Sequence, residues 1–186
     1  MSNLRFRSAR VAIALVAVMA IPHTGVPQVG ASELTAAFLF NFARFTEWPA
    51  DVMPAAAPLV LCVINATDVV RFLGRAVQGK TIHGRPLTVR RADVGGPLAD
   101  CHLLYASGLA ASRVRTMLEA VDGAAVLTVS DLADFAAVGG TAQLYMEGER
   151  MRFAVNVDAA LKANVRLSAQ LLNLAQIVRD DHDFSH

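Results

Sequence analysis

The stretch that decides the fold is residues 58–80, PLVLCVINATDVVRFLGRAVQGK. Residues 58–64 form a continuous apolar run without polar alternation, which is typical of a central parallel strand buried on both faces. Thr67 and Asp68 are residue types that begin helices, and they predict a short helix that ends at Val77. A buried strand followed directly by a helix is the repeating unit of an α/β fold.

The same alternation of strands and helices continues toward the C-terminus. The later predicted elements are strands at 80–82, 87–91, 101–106 and 125–129, helices at 110–120 and 132–135, a hairpin of 142–147 with 151–157, and a helix at 158–178. The hairpin turns at Gly148-Glu149, and leucines at steps of three and four residues indicate the buried face of the last helix. We therefore predict a single α/β domain, a three-layer α/β/α sandwich on a mixed sheet that ends in a β-hairpin and a long C-terminal helix.

The region before residue 58 predicts one more helix, residues 33–45, which is unusually apolar. Leu34, Phe38, Phe42 and Phe45 form one stripe at helical spacing, but Leu39 and Phe40 lie off it, so more than half of the circumference is apolar. Such a helix has to be covered on two sides. The domain core can cover one side, and a second helix or a second subunit would cover the other.

The first residues have the pattern of an export signal. Arg5, Arg7 and Arg10 precede an apolar run at 11–21, and small residues at 29 and 31 suit cleavage before Ser32. We expect a cleaved signal peptide at 1–31, a mature domain at 32–186, export by the general secretion route and residence in the periplasm. The alternative is an uncleaved anchor, although the run is shorter than the roughly 20 residues that span a bilayer.

The charge of the mature chain argues against binding to nucleic acid. Residues 1–31 hold three of the 17 basic residues and none of the 16 acidic residues, so residues 32–186 carry 14 basic against 16 acidic residues, a net charge of −2. A mildly acidic chain lacks the basic surface that nucleic acids and anionic membranes require.

Two cysteines, Cys62 and Cys101, remain after export. An even number of cysteines in an oxidising compartment favours one disulfide, and the alternative is two buried free thiols. No C-x-x-C motif is present, which disfavours redox catalysis.

No motif indicates an enzyme, a metal centre or a cofactor. The histidines lack the spacing of zinc ligands, and the sequence contains neither a nucleophile elbow nor a phosphate-binding loop. His182 with Asp181 and Asp183 suits a weak metal site less well than a solvated tail. We therefore expect no catalytic residue, no metal and no cofactor.

Polar residues after the predicted strands suggest a small-ligand crevice, because open α/β sheets bind ligands at the carboxyl ends of their strands. The candidates are Asp68, Ser107, Ser130 and Asp131. The same residue types are also what helix N-termini need, so capping is the competing interpretation.

A second set of candidates suggests a surface that binds a protein partner. Aromatic and arginine side chains are the usual anchors of protein interfaces. The candidates are Phe40 and Arg44 in the first helix, Trp48 just after it, and His83 and Arg85 in a glycine- and proline-containing turn.

Six stretches resemble the YfiR-like family of periplasmic proteins. They are AAFLFNFARFTEWP (36–49), GKTIHGRPL (79–87), ADCHLL (99–104), VLTVSD (126–131), RFAVN (152–156) and LSAQLLNLA (167–175). The first stretch is long and fairly specific, and the others match mainly by their order along the chain.

The resemblance implies a regulator that contacts the periplasmic sensor domain of an inner-membrane diguanylate cyclase and holds the cyclase inactive. It also implies lower cyclic di-GMP and less biofilm, a compact α/β/α fold, a homodimer, an outer-membrane-associated releasing protein and a disulfide between Cys62 and Cys101. A second disulfide of some relatives has no counterpart here. The alternative function is a periplasmic small-molecule sensor that uses the strand-end crevice.

Overall fold

The computed structural model describes residues 30–50, 52 and 57–179. The predicted signal peptide, apart from its last two residues, and the polar tail after Arg179 lie outside these residues. Within the described chain, no helix is long and apolar enough to cross a membrane.

The chain forms α1 (Ala31–Arg44), β1 (Thr46–Glu47), β2 (Leu59–Ile64), α2 (Thr67–Val77), β3 (Thr81–Ile82), β4 (Arg85–Arg91), a 3-10 turn (Leu98–Asp100), β5 (Leu103–Ala106), α3 (Ala111–Ala120), β6 (Leu127–Ser130), β7 (Ala142–Glu147), β8 (Arg150–Asn156), α4 (Val157–Lys162), β9 (Arg166–Leu167), α5 (Ala169–Leu172) and β10 (Gln176–Val178).

Eight strands form a mixed sheet in the order β10-β8-β7-β6-β5-β2-β4-β3. The run β4-β2-β5-β6-β7 is parallel throughout, β7 and β8 form the predicted antiparallel hairpin, and β10 runs parallel to β8. β2 pairs with β4 on one side and with β5 on the other, which confirms that residues 58–64 form a central parallel strand.

The two faces of the sheet carry two separate cores. Leu61 and Val63 of β2 pack with α1 and α2 on one face, whereas Cys62 and Ile64 pack with α3 on the other. Successive strand residues point to opposite faces, so an uninterrupted apolar strand supplies both cores at once. The three-layer α/β/α sandwich is confirmed.

The packing of α1 explains its excess of apolar residues. Leu39 and Phe42 are fully buried against the sheet, and α2 packs along the same helix. A second helix therefore covers one of the two apolar sides. The predicted stripe was misplaced, because Leu39 belongs to the core while Phe38 and Phe45 are only half-buried.

The predicted long C-terminal helix is wrong. Asn164 adopts a left-handed conformation with φ of 52°, just after α4, and a helix cannot continue through such a residue. Leu167 then pairs with Thr46 of β1, and Ser168 caps the single turn of α5 with its side chain. The leucine spacing reflects contacts in separate elements, since Leu171 is buried whereas Leu174 is 70% exposed.

The predicted helix at 132–135 is also absent, and the chain forms consecutive turns there. Asp134 has φ of 59°, and the backbone N–H of Gly140 donates to the carbonyl of Phe135 at 2.9 Å. These contacts fold the segment back over the end of the sheet, where Phe135 is buried in the α3-side core.

The structure forms the disulfide between Cys62 of β2 and Cys101, which lies just before β5. Their Cα atoms are 5.9 Å apart. The guanidinium of Arg90 donates to Cys62 Sγ at 3.2 Å and to Cys101 Sγ at 3.5 Å. The bridge therefore joins neighbouring central strands beneath a charged side chain.

Candidate functional site

Trp48 and Arg85 lie near one another at the amino ends of the parallel strands, in what we call the amino-end cluster: Trp48, Arg85 and His102. The indole N–H of Trp48 donates to the carbonyl of His102 at 3.1 Å, and the two rings meet edge to face at 6.1 Å. Arg85 begins β4 and donates to the carbonyl of Ala57 at 3.3 Å. Trp48 is thus a half-buried anchor with part of its ring still accessible.

His102 is the member of this cluster that the sequence did not single out. Its Nδ1 accepts a hydrogen bond from the backbone N–H of Val60 at 3.0 Å. Burial lowers the pKa of His102, and the nearby positive charge of Arg85 lowers it further. His102 is therefore held neutral, with Nδ1 as an acceptor and the ring oriented under Trp48.

His83 and Phe40 flank the region of β3 and β4. His83 is exposed in the tight turn between these strands, where its φ is 50°. Phe40 of α1 is half-buried, and the ammonium group of Lys80, just before β3, lies 4.8 Å from its ring centroid. A cation at this distance from an aromatic ring is attracted by its π-electrons, so Phe40 offers a partner only part of its ring.

Arg44 lies in a different place, at a groove that we call the α1 groove. This groove has a volume of about 380 Å³ and runs between α1, β8 and the segment from Gln170 to Leu174. Its lining residues include Phe38, Phe45, Met151, Arg152 and Leu174. The guanidinium of Arg44 lies 5.5 Å from the ring of Phe45. The groove is apolar with a basic rim.

Arg152 completes that rim but is already paired, since its Nε lies 3.1 Å from a carboxylate oxygen of Glu147. Both side chains are about half or more exposed, and exposed pairs of this kind contribute little to stability. A partner could therefore exchange this ion pair for one of its own at low cost. Phe45 and Leu174 were not among the sequence candidates for a partner-binding surface. Leu174 reaches the groove only because the predicted last helix does not form.

The crevice residues are brought together only in part. Ser107 after β5 donates a hydrogen bond to Asp131 after β6, at 2.8 Å. Ser130 is fully buried and satisfies the neighbouring backbone, donating to the carbonyl of Ala106 at 2.6 Å and accepting from the N–H of Leu132 at 3.2 Å. Asp68 forms an exposed ion pair with Arg71 at 2.9 Å.

The topology adds Asn65 to the crevice. α2 leads from β2 to β4 on one face of the sheet, and α3 leads from β5 to β6 on the other, so the chain changes direction between β2 and β5. The side-chain amide of Asn65 bridges this point and donates to the carbonyl of Ser107 at 3.1 Å. Asn65 has φ of 60°, a conformation that costs free energy in residues other than glycine.

Beneath Ser107 lies the buried hydroxyl of Tyr105. Burial raises the pKa of Tyr105 well above its usual range, and the carboxylate of Asp131 raises it further. Tyr105 therefore stays protonated. Ser107 donates to the carboxylate of Asp131, and among the described residues no histidine is hydrogen-bonded to Ser107 or Ser130. Among the described residues, no group of three or more histidine, cysteine, aspartate or glutamate side chains is arranged to hold a metal ion.

Residues 32–176 match the family described as YfiR/HmsC-like. The chain belongs to this family. The match covers both cores, the disulfide, the amino-end cluster and the α1 groove. Members of the YfiR/HmsC-like family are periplasmic proteins that regulate diguanylate cyclase signalling, and they are regulators rather than enzymes.

One solved structure has a similar fold at low sequence identity. A conserved domain protein from Vibrio cholerae superposes with a TM-score of 0.54 at 13% sequence identity, covering 79% of this chain and 60% of the other. The chain thus spans less than two thirds of that protein. An ABC domain in complex with L-Trp from Streptococcus pneumonia reaches a TM-score of 0.45 at 8% identity, covering 64% and 54% of the two chains.

Proposed function

We propose that this protein is a periplasmic repressor that contacts the periplasmic sensor domain of an inner-membrane diguanylate cyclase and so lowers cyclic di-GMP and biofilm formation. The match to the YfiR/HmsC-like family over residues 32–176 is the observation that carries the proposal. Repression by contact needs a binding surface rather than a reaction centre, and the α1 groove offers such a surface.

The α1 groove is the part of the surface best suited to that contact. Its half-buried aromatic walls accept one apolar side chain from a partner, and Arg44 offers an exposed positive charge beside it. Interface hot spots combine such a pocket with arginine or aromatic residues. The sensor domain would therefore present an apolar side chain next to an acidic one. The amino-end cluster and His83 would extend the contact.

Cyclic di-GMP in cells tests the function. Deletion of the gene should raise cyclic di-GMP, and expression of the full chain should restore the original level. A version that lacks residues 1–31 should fail to restore it, because export is part of the proposal. Unchanged cyclic di-GMP after deletion, with the cyclase expressed, would reject repression.

Two leucine substitutions of similar exposure test the surface. Leu174, at the α1 groove, is 70% exposed, and Leu161 of α4, outside the groove, is 68% exposed. Leu174→Asp should abolish repression by placing a charge in the groove, and Leu161→Asp should preserve it. Both should fold, since neither side chain is in the core. Equal repression by the two variants would remove the α1 groove from the interface.

The partners also include a second copy of this chain and an outer-membrane-associated protein that releases the cyclase. Light scattering on the purified protein tests the homodimer, and a monomer at micromolar concentration would argue against it. Loss of co-purification of the releasing protein in the Arg44→Glu variant would indicate that both partners compete for the α1 groove.

A small-molecule sensor is the second candidate function, and the Asn65–Ser107–Asp131 arrangement favours it. Ligands of open α/β sheets bind where the strand order reverses, and these three residues lie at or beside that point. Asp131→Asn should then alter cyclic di-GMP in cells without changing the melting temperature. If cyclic di-GMP stays at the wild-type level, the crevice has no sensing role.

A further inference from the structure

The charge of the mature chain is unevenly distributed. Residues 67–93, which contain α2, β3 and β4, hold six basic and two acidic residues, a net charge of +4. This leaves eight basic and 14 acidic residues for 32–66 and 94–186, a net charge of −6. The total of −2, on which the expectation of no basic surface was based, hides this separation.

Exposed cations line one edge of the molecule. Strands β4 and β3 close one side of the sheet, and α2 packs against β4. Arg71 and Arg75 are exposed about one turn apart on α2, and Lys80 is exposed just before β3. Arg91 is exposed at the end of β4, on the same face of the strand as Val89, which packs into the core beneath α2. We call Arg71, Arg75, Lys80 and Arg91 the basic edge.

Few carboxylates offset the basic edge. Asp68 forms the ion pair with Arg71 at 2.9 Å, and Asp93 lies two residues beyond Arg91. The neighbouring helix α1 carries one charged residue of each sign. Among the described residues, neither Arg75 nor Lys80 forms an ion pair. These two cations are therefore available to an anionic partner.

Aromatic rings lie beneath three of the four cations. The guanidinium groups of Arg71 and Arg75 lie 4.7 and 4.8 Å from the ring centroid of Phe72. The ammonium group of Lys80 lies 4.8 Å from the ring centroid of Phe40. Both rings are half-buried. Side chains that place a charge above an apolar stem or ring are typical of proteins that lie on a membrane surface.

We propose that the basic edge holds this protein against the anionic phospholipid surface of the inner membrane. Cations that are spread along a helix and an edge strand suit the diffuse charge of lipid headgroups, to which each lysine or arginine adds attraction. A protein hot spot needs a pocket, and the α1 groove takes no side chain from residues 67–93. The inference rests on the proposed function, which places the partner cyclase in the same membrane.

The proposed orientation keeps the α1 groove away from the lipid. Strand β8, which lines the groove, lies five strand spacings from β4 in the sheet. At about 4.8 Å for each spacing, this distance is roughly 24 Å. With the basic edge on the bilayer, the groove would therefore stand above the headgroups, where a folded sensor domain can reach it.

Sedimentation with lipid vesicles tests the proposal on the protein purified from the periplasm of expressing cells. One set of vesicles contains phosphatidylglycerol and phosphatidylcholine in equal parts, and the other contains phosphatidylcholine alone. The protein should bind the anionic vesicles at least about tenfold more tightly at low salt, and about 1 M salt should release it because charges are then screened within about 3 Å. Equal binding to both sets, or no binding to the anionic set, would overturn the proposal.

A soluble phosphate distinguishes a membrane surface from a site for a single anion. Glycerol phosphate, compared with sodium chloride at the same ionic strength, should not displace the protein from the anionic vesicles, because one headgroup cannot replace contacts to many. Displacement by glycerol phosphate alone would identify a discrete phosphate site and would reject docking on the membrane.

Two double variants with the same change of charge locate the contact. Arg75→Glu with Lys80→Glu reverses the basic edge, and Arg113→Glu with Arg115→Glu reverses two exposed arginines of α3 on the opposite face. The first should weaken binding to the anionic vesicles at least about 20-fold, and the second less than about threefold. Equal weakening would show that only total charge matters and would reject the basic edge. If circular dichroism shows that the first variant does not fold, Arg91→Glu takes its place and should weaken binding about fivefold.

Vesicle binding is measured without a cyclase, so membrane binding and repression can fail independently. Unchanged cyclic di-GMP after gene deletion would reject repression but would leave the vesicle result intact. If Arg75→Glu with Lys80→Glu abolishes repression in cells while the wild-type protein does not bind anionic vesicles, the basic edge contacts a protein, and the membrane proposal is wrong.

Discussion

The disulfide allows a quantitative test of how the two central strands are held. It joins Cys62 to Cys101 across 39 residues of sequence. The loop-closure entropy of a ring of this size corresponds to about 4 kcal/mol of free energy of unfolding at 25 °C. The total for a domain of this size is about 5–15 kcal/mol, so the bridge supplies a large share.

Reduction of the wild-type protein isolates the effect of the cross-link better than substitution of the cysteines. Reduction retains both sulfur atoms as thiols near the guanidinium of Arg90, whereas alanine substitutions would remove them. Urea unfolding should be followed by the fluorescence of Trp48, the single tryptophan of the chain. With a slope of about 2 kcal/mol per molar urea, the midpoint should fall by about 2 M when a reductant is present throughout.

The result that refutes the reasoning is a loss below about 1 kcal/mol in fully reduced protein at unchanged slope. The loop would then restrict the unfolded chain far less than its length implies. A change in slope would instead locate the effect in residual structure of the unfolded state. Mass spectrometry after alkylation confirms that both thiols are reduced in the samples compared.

Two further predictions concern His102 and Gly140. Burial and the charge of Arg85 lower the pKa of His102 in the folded protein. The unfolded chain therefore binds a proton at His102 more readily than the folded chain does. The contribution of His102 to stability is present above its ordinary pKa of about 6.5 and is lost as the pH falls below that value. As the pH falls from about 8 to about 5, the melting temperature should decline less in His102→Gln than in wild type. An equal decline in the two proteins would contradict this prediction. Gly140→Ala should destabilise by about 1–3 kcal/mol, because the added Cβ overlaps the ring of Phe135. The control is Gly74→Ala in α2, where an added Cβ has open space around it. This substitution should stabilise the protein by about 0.5–1 kcal/mol. If both glycine substitutions change the free energy of unfolding in urea equally, the packing argument fails.

Up to the β-hairpin, the sequence predicted the order of strands and helices except for the short β1 and the helix expected at 132–135. Residues 58–64 identified β2 because a strand that supplies two cores has no polar position. The helix at 67–77 was predicted at the residues where α2 lies. The hairpin turn at Gly148 was predicted as well, and Gly148 has φ of 60°. Each of these features depends on local spacing and backbone preference, which the sequence carries directly.

The sequence did not predict the C-terminal region or the site residues that depend on it. The leucine spacing after Asp158 suggested one helix, but the chain breaks at Asn164 to pair with β1 and then with the sheet edge. Those pairings replace helical hydrogen bonds with hydrogen bonds to strands that are distant in sequence. The local sequence does not indicate which strand the segment will pair with. Leu174 belongs to that leucine spacing, but it reaches the α1 groove from a separate segment and not as part of a helical face.

The candidate sites show the same division. The sequence supplied Trp48, Arg85, Ser107 and Asp131 as residues of the right chemical type. It did not show that Ser107 donates a hydrogen bond to Asp131, 24 residues later, or that Trp48 contacts His102. It also did not show that the hydroxyl of Ser130 bonds to the backbone and is buried away from the crevice. Residue type is a local property, whereas these contacts depend on which strands become neighbours.

By itself, the sequence determined the α/β class, the central strand, the pair of cysteines and the family. Apolar periodicity and cysteine count are properties of the chain that survive any arrangement of its elements. Only the tertiary structure decided which face of α1 is buried, where the chain turns after α4, and that the hydroxyl groups of Thr128 and Thr141 bond to one another. These features depend on contacts between residues that are far apart in sequence. Such contacts stabilise the protein only after the sheet has formed and has placed the residues next to one another.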